Sequence, residues 1–131
     1  MSTLKTSNIQ DTSGNNNSTP EQINQGRAKA WINFDGTSGS IGTGRDSFNV
    51  AAVTDNNPGD YTVNFTNDMA NTNYAVSTST IAISGSTVCV VGVKQDHATA
   101  YATDSITLQC IKPSNSGIAD RSVINVVVFG D

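Results

Sequence analysis

The stretch Tyr61-Thr62-Val63-Asn64-Phe65-Thr66 alternates apolar and polar residues without interruption. Successive side chains of a β-strand point to opposite faces, so this pattern predicts a strand with one face in a core and the other in solvent. Tyr61, Val63 and Phe65 are expected on the core side. Residues 55–60, directly before this stretch, are rich in Asp, Asn, Pro and Gly and predict a turn.

Further short strands are expected on both sides of this stretch, with turns rich in Gly, Ser, Asn and Asp between them. They cover residues 31–34, 47–54, 74–83, 87–93, 105–111 and 123–129. Phe48 and Val50 are expected on one face, and Ile106, Leu108 and Cys110 on another. Residues 84–86 predict a hairpin turn, and residues 95–103 and 112–120 predict loops. Six or seven strands in about 100 residues predict an all-β fold, an antiparallel β-sandwich of two packed sheets.

One short helix is predicted near the N-terminus. Thr19 suits the N-cap, Pro20 suits the first helical position, and Gln22 lies where a capping box places its second residue. The chain therefore divides into an N-terminal docking segment or linker at 1–17, a short helix at 18–30 and a β-sandwich domain at 31–131.

Composition excludes several functional classes. Hydrophobic residues form 36% of the chain and charged residues 14%, whereas Ser, Thr and Asn supply 46 of 131 residues. The net charge is −4, and the seven cations are scattered apart from Arg27 and Lys29, so nucleic-acid binding is not expected. No apolar run approaches the ~20 residues of a membrane span. Residues 1–10 lack the apolar core of a signal peptide, so synthesis in a cytoplasm is expected.

The sequence contains residue types that can act in catalysis, but not at the spacings of a known catalytic motif. His97 is the single histidine, and no Gly-x-Ser-x-Gly elbow accompanies it. The aspartates lie at turns, where they usually cap their own backbone. Residues 11–22 lack the glycine and glutamate of a calcium loop, and the glycines at 36–44 lack the lysine of a phosphate loop. We therefore expect no enzymatic activity, no metal site and no cofactor.

The two cysteines and the single tryptophan allow more than one interpretation. Cys89 and Cys110 lie in strand-like runs, and buried free thiols are the favoured interpretation. A disulfide would need adjacent strands and an oxidising compartment. Metal binding is disfavoured because neither belongs to a Cys-x-x-Cys pair. Trp31 is expected to anchor the helix on the sandwich or on a neighbouring subunit, with sugar stacking as the alternative.

The N-terminal half resembles a module of tailed-bacteriophage fibre and appendage proteins, which are common in phages of cyanobacteria and other aquatic bacteria. The segments that carry the resemblance are 8–16, 18–23, 26–37, 45–50, 53–56 and 59–66. They span about Ile9 to Tyr74. The resemblance implies a virion protein, usually trimeric, whose β-module caps or decorates a fibre. Because little chain precedes the module here, a short tail fibre or a tail or collar appendage is expected in place of a long fibre.

We therefore expect a structural virion protein that assembles with itself, most simply as a trimer, and with other virion proteins. A capsid decoration protein and a host-receptor or glycan-binding module are the alternatives. The expected location is the virion, after synthesis in the host cytoplasm. The residues expected at the subunit interface are Leu4, Ile9, Ile23, Arg27 and Trp31.

Overall fold

The computed structural model describes residues 1–81, 88–95, 97–113 and 117–130. In order along the chain, its elements are α1 (Pro20–Gly26), β1 (Ala28–Phe34), β2 (Asp46–Phe48), β3 (Val50–Asn57), β4 (Asp60–Phe65), β5 (Ala75–Thr80), β6 (Val90–Val93), α2 (His97–Ala100), β7 (Ser105–Lys112), β8 (Gly117–Ile118) and β9 (Ile124–Phe129). The prediction of an all-β protein with a short N-terminal helix is confirmed.

Two antiparallel sheets form the sandwich. The first has the strand order β2-β1-β9-β5, and the second has the order β3-β4-β7-β6, with β8 paired to the end of β7. Strand β4, which contains the alternating stretch, lies between β3 and β7 in the second sheet. It buries Tyr61, Val63 and Phe65, as predicted.

The core lies between the two inner faces. The first sheet contributes Ile32, Phe34, Val126 and Val128, and the second contributes Tyr61, Val63, Ile106, Leu108 and Cys110. The rings of Phe34 and Tyr61 meet edge to face across the sheets, with centroids 5.2 Å apart. The prediction that Ile106, Leu108 and Cys110 share a core face is confirmed.

A partly buried polar contact joins β4 to the loop between β8 and β9 at one end of this core. The Tyr61 hydroxyl donates to Asp120 Oδ1 at 2.6 Å, and the same oxygen accepts the Gly59 N–H at 2.6 Å. Burial and the Asp120 carboxylate raise the pKa of Tyr61. Gly59 has a φ of +70°, and an added Cβ would lie 2.7 Å from the Ala119 nitrogen. The turn at Gly59 thus holds the backbone close to the loop that carries Asp120.

The chain passes from one sheet to the other at Asn49. The sequence suggested a single strand over residues 47–54, with Phe48 and Val50 on the same face. This prediction was wrong: β2 pairs with β1, whereas β3 pairs with β4. Asn49 adopts a φ of +56° between them, so Phe48 faces outward and Val50 enters the core. A left-handed residue reverses the local direction of the chain, and strands that change sheets commonly do so at such bends.

The Asn49 side chain stabilises this crossing. Its Nδ2 donates to the carbonyl oxygens of Lys29 and Asn67, each at 3.0 Å. Its Oδ1 accepts the Asn67 N–H at 2.8 Å. Asparagine tolerates the left-handed region better than most residues because its short amide can bond locally.

Three other predicted boundaries differ in the structure. The helix ends at Gly26 and does not reach residue 30, because Ala28 and Ala30 already pair with β9 and Ala30 enters the core. The expected loop at 95–103 contains the short helix α2, and the expected loop at 112–120 contains β8. The predicted hairpin turn at 84–86 lies outside the described residues.

The two cysteines are free and buried, as the favoured interpretation held. Burial raises the pKa of the Cys110 thiol to about 12, and a hydrogen bond with Cys89 acts in the same direction. The Cys110 thiol therefore stays protonated at neutral pH and behaves as part of the core.

Candidate functional site

The N-terminal segment, residues 1–17, lies on the surface throughout. Leu4 exposes 85% of its surface and Ile9 exposes 52%. The segment is folded back on itself at one point: Ile9 and Ser18 exchange backbone hydrogen bonds of 2.9 and 2.8 Å. Its apolar side chains therefore find no cover in the sandwich.

Asp11 closes this small hairpin with its own carboxylate. Oδ1 accepts the N–H groups of Ser13 and Asn15 at 2.9 and 2.8 Å, and Oδ2 accepts Asn16 Nδ2 at 3.0 Å. Both oxygens are thus used within the turn. This arrangement is that of a turn-capping aspartate.

Helix α1 is well capped and has no buried residue. The Thr19 hydroxyl accepts the Gln22 N–H at 3.2 Å, and the Gln22 side chain accepts the Thr19 N–H at 2.9 Å, which confirms the predicted capping box. Ile23 exposes 44% of its surface. A seven-residue helix without tertiary packing is marginally stable in water, so α1 is a candidate for contact with another molecule.

The outer face of the first sheet carries a row of apolar side chains. Trp31 lies opposite Phe48 on β2 and opposite Val127 on β9. Phe129 lies two residues further along the same face of β9 and exposes 38% of its surface, and Phe48 exposes 50%. We refer to Trp31, Phe48, Val127 and Phe129 as the aromatic face.

The rows beside the aromatic face are polar. Asn33 Nδ2 donates to Asn125 Oδ1 at 2.5 Å, and Asn125 Nδ2 donates to Ser79 Oγ at 3.1 Å. At the sheet edge Arg45 pairs with Asp35 at 3.1 Å. Hydrogen bonds from the Thr37 hydroxyl and N–H lower the pKa of Asp35, and the charge of Arg45 acts in the same direction. The apolar row is therefore bounded by a ladder of amides and hydroxyls.

The outer face of the second sheet has a different character. Asn64 Nδ2 donates to Thr54 Oγ1 at 3.1 Å, and the hydroxyls of Thr62 and Thr107 lie 3.4 Å apart. These side chains satisfy one another. Further along the same face, the cross-strand neighbours Val90, Ile111 and Ile118 expose 54%, 40% and 41% of their surface. Both outer faces therefore carry exposed apolar side chains. The row on the first sheet is the one that includes aromatic rings, which are enriched at protein–protein contacts.

Two clefts flank the end of the sandwich where α1 joins β1. One is lined by Gln25, Asn71, Asn73, Phe129 and Gly130. The other, which we call the cationic cleft, is lined by Arg27, Ala28, Lys29, Phe48, Asn49, Thr66 and Asn67. A third cleft lies beside the Asp35–Arg45 pair. Asp35 is the single carboxylate that lines these three clefts within the described ranges.

The five residues predicted at an interface occupy three places. Leu4 and Ile9 lie on the N-terminal segment, Ile23 lies on α1, and Trp31 lies on the aromatic face. Arg27 caps the C-terminal end of α1 and lines the cationic cleft. The exposure of Phe48 and Phe129 was not predicted from the sequence, since large aromatic residues are usually expected in the core. Side chains alternate along a strand, so if Val126 and Val128 face the core, Phe129 must face outward.

The part of the chain that the structure describes contains no group of three or more His, Cys, Asp or Glu residues that could hold a metal ion. Within the same residues, no helix has the length and apolar character needed to cross a membrane.

The chain matches no protein-family model, no curated protein and no solved structure. The fold defines a class, an antiparallel β-sandwich with a capped N-terminal helix.

Proposed function

We propose that this chain is a structural protein of a tailed-phage particle, a short tail fibre or a tail or collar appendage, that assembles with copies of itself and has no enzymatic role. The observation that carries the proposal is the exposure of the first 27 residues. No side chain among them is buried, yet they include Leu4, Ile9 and Ile23.

Burial of these three side chains against another molecule would be energetically favourable. Burying a Leu or Ile side chain contributes about 1.5–3 kcal/mol, so three such residues left in water represent a substantial unused driving force. A polar linker that contacts no other molecule would be expected to contain few such residues. Contact with a neighbouring subunit or with another virion protein would use them.

The aromatic face supports the same proposal. Its three rings and Val127 form one apolar patch beside a row of hydrogen-bonded amides and hydroxyls. Apolar rows rimmed by polar groups are typical of protein–protein contacts, where aromatic residues are enriched. Closed self-assembly repeats one such contact around an axis, and the phage-module resemblance favours three copies.

Capsid decoration remains the alternative location, because a decoration protein also needs an inert sandwich and a docking segment. The exposed N-terminal segment is equally compatible with attachment to the tail or collar and with attachment to the capsid. Labelling intact particles with antibody fragments against the sandwich distinguishes them, since tail or collar labelling supports our proposal and uniform labelling of the capsid contradicts it.

Replacing Leu4 and Ile9 by Ser is expected to reduce incorporation of the chain into phage particles by at least about tenfold, because each side chain contributes more than ~1.4 kcal/mol when buried. Incorporation is measured by quantitative immunoblotting of gradient-purified particles. The matched control carries Thr3→Ser and Thr12→Ser, which alter the same exposed segment without removing apolar surface, and it should be incorporated normally. Normal incorporation of the Leu4→Ser/Ile9→Ser chain would contradict the docking role.

A further inference from the structure

The cationic cleft lies at the lower end of the size range of small-ligand sites. It has a volume of about 300 Å³ and lies between the start of β1, the β2–β3 crossing and the turn after β4. Small-molecule sites typically occupy about 300–1,000 Å³.

Two cations meet in this cleft without an acidic partner. Arg27 Nη2 and Lys29 Nζ both donate to Asn24 Oδ1, at 3.1 and 2.9 Å. Their nitrogens thus converge on one neutral oxygen. The ion pairs within the described chain are Arg45–Asp35 and Lys94–Asp60, so neither cation of the cleft takes part in one. Like charges held together repel, and an anionic ligand would remove that cost.

The free donors of these cations suit a carboxylate. A guanidinium offers five N–H donors, of which the contact with Asn24 uses one, and it binds a carboxylate through two parallel hydrogen bonds. Lys29 adds a compact positive charge beside it.

The remaining walls suit a sugar ring. Phe48 exposes 50% of its surface and presents an aromatic side chain at the cleft. The same cleft is lined by the exposed Thr66 and by Asn67, whose Nδ2 donates one hydrogen bond to Asn49 Oδ1 at 3.0 Å and has a second N–H to offer. The Asn49 amide donates to the Lys29 and Asn67 carbonyl oxygens, which holds both sides of the cleft in place. An apolar wall with a few convergent polar groups is the usual composition of a small-ligand site.

We propose that the cationic cleft binds a carboxylate-bearing sugar residue, a uronic acid within an acidic polysaccharide. Arg27 and Lys29 hold the carboxylate, Phe48 contacts the face of the ring, and Thr66 and Asn67 bond its hydroxyl groups. The proposal goes beyond the assembly role. Because Phe48 also belongs to the aromatic face, the proposal requires an assembly that leaves Phe48 and Arg27 accessible at the cleft.

Titration of the full chain with oligogalacturonate, followed by NMR chemical shifts and calorimetry, tests this proposal. Binding is expected to perturb the amides of residues 27–29, 48–49 and 66–67. Replacing Arg27 and Lys29 together by Gln should weaken binding at least tenfold, because each lost charge-assisted bond contributes more than a tenfold factor. The control carries Lys5→Gln and Lys112→Gln, which remove the same charge elsewhere, and should bind like the parent chain.

Three further probes separate the sources of binding. Phe48→Leu keeps an apolar side chain but removes the ring, and it should weaken oligogalacturonate binding severalfold. A neutral galactose oligomer should not bind. Binding of polyglutamate or acetate as tightly as oligogalacturonate would overturn the sugar assignment. Shifts that lie away from the cleft, or no binding at all, would overturn the site.

Discussion

Replacing Phe34 by Ala is expected to lower the free energy of unfolding by about 3–5 kcal/mol, the usual cost of removing a fully buried aromatic ring. Phe34 is completely buried and contacts Tyr61 across the two sheets. The deletion would remove apolar burial and an edge-to-face ring contact at the same time. Urea denaturation at a low, matched protein concentration measures the change.

Phe48→Ala provides the matched control, because it deletes the same ring from the same sheet on the outer face. Half of Phe48 is exposed, so the expected loss is below about 1 kcal/mol, as for most surface substitutions. Equal losses for the two variants would contradict the orientation of β1 and β2 and, with it, the crossing at Asn49.

Replacing Lys94 by Met is expected to cost about 3 kcal/mol of stability, because it leaves a buried carboxylate without its cation. Lys94 Nζ contacts Asp60 Oδ2, whose side chain is only 6% exposed, while that of Lys94 is 28% exposed. Asn56 Nδ2 lies 3.4 Å from the other carboxylate oxygen and is a weak substitute. Thermal unfolding followed by circular dichroism measures the loss.

The Arg45–Asp35 pair serves as the comparison, since it is exposed on both sides, at 45% and 35%. Solvent screens such pairs, so Arg45→Met should cost less stability than Lys94→Met, although it also removes the hydrogen bond from Arg45 to the Ser122 carbonyl oxygen. A Lys94→Met chain as stable as the Arg45→Met chain would show that the Asp60 carboxylate is not buried as described.

The alternating strands were predictable because each buries one face, and period-two patterns are a direct consequence of that geometry. Residues 61–66, 105–111 and 123–129 therefore appear within one or two residues of their expected bounds. The capping box of α1 was predictable for a similar reason, since Thr19 and Gln22 act over a short range.

The features that escaped prediction depend on long-range pairing. Nothing local distinguishes residues 47–54 from one continuous strand, and the change of sheet becomes visible only through the partners of β2 and β3. The end of α1 was misplaced for the same reason: Ala28 and Ala30 are good helix formers, but pairing with β9 overrides that preference. The two residues of β8 are too few for any periodicity.

The candidate site was predictable in part. Leu4, Ile9, Ile23 and Trp31 stand out as apolar residues in or beside polar sequence. The cationic cleft could not be predicted, although the closeness of Arg27 and Lys29 was visible. Its walls come from Phe48, Thr66 and Asn67, which are brought together by the sheet crossing and by the end of β4.

The molar mass of the full chain in solution, measured by light scattering during gel filtration, tests the central claim most directly. We expect a closed oligomer, about three times the 13.7 kDa of one chain, that returns to monomer when Leu4 and Ile9 are replaced by Ser. A single 13.7 kDa species at all concentrations, with the amides of residues 1–17 protected from hydrogen exchange, would contradict it.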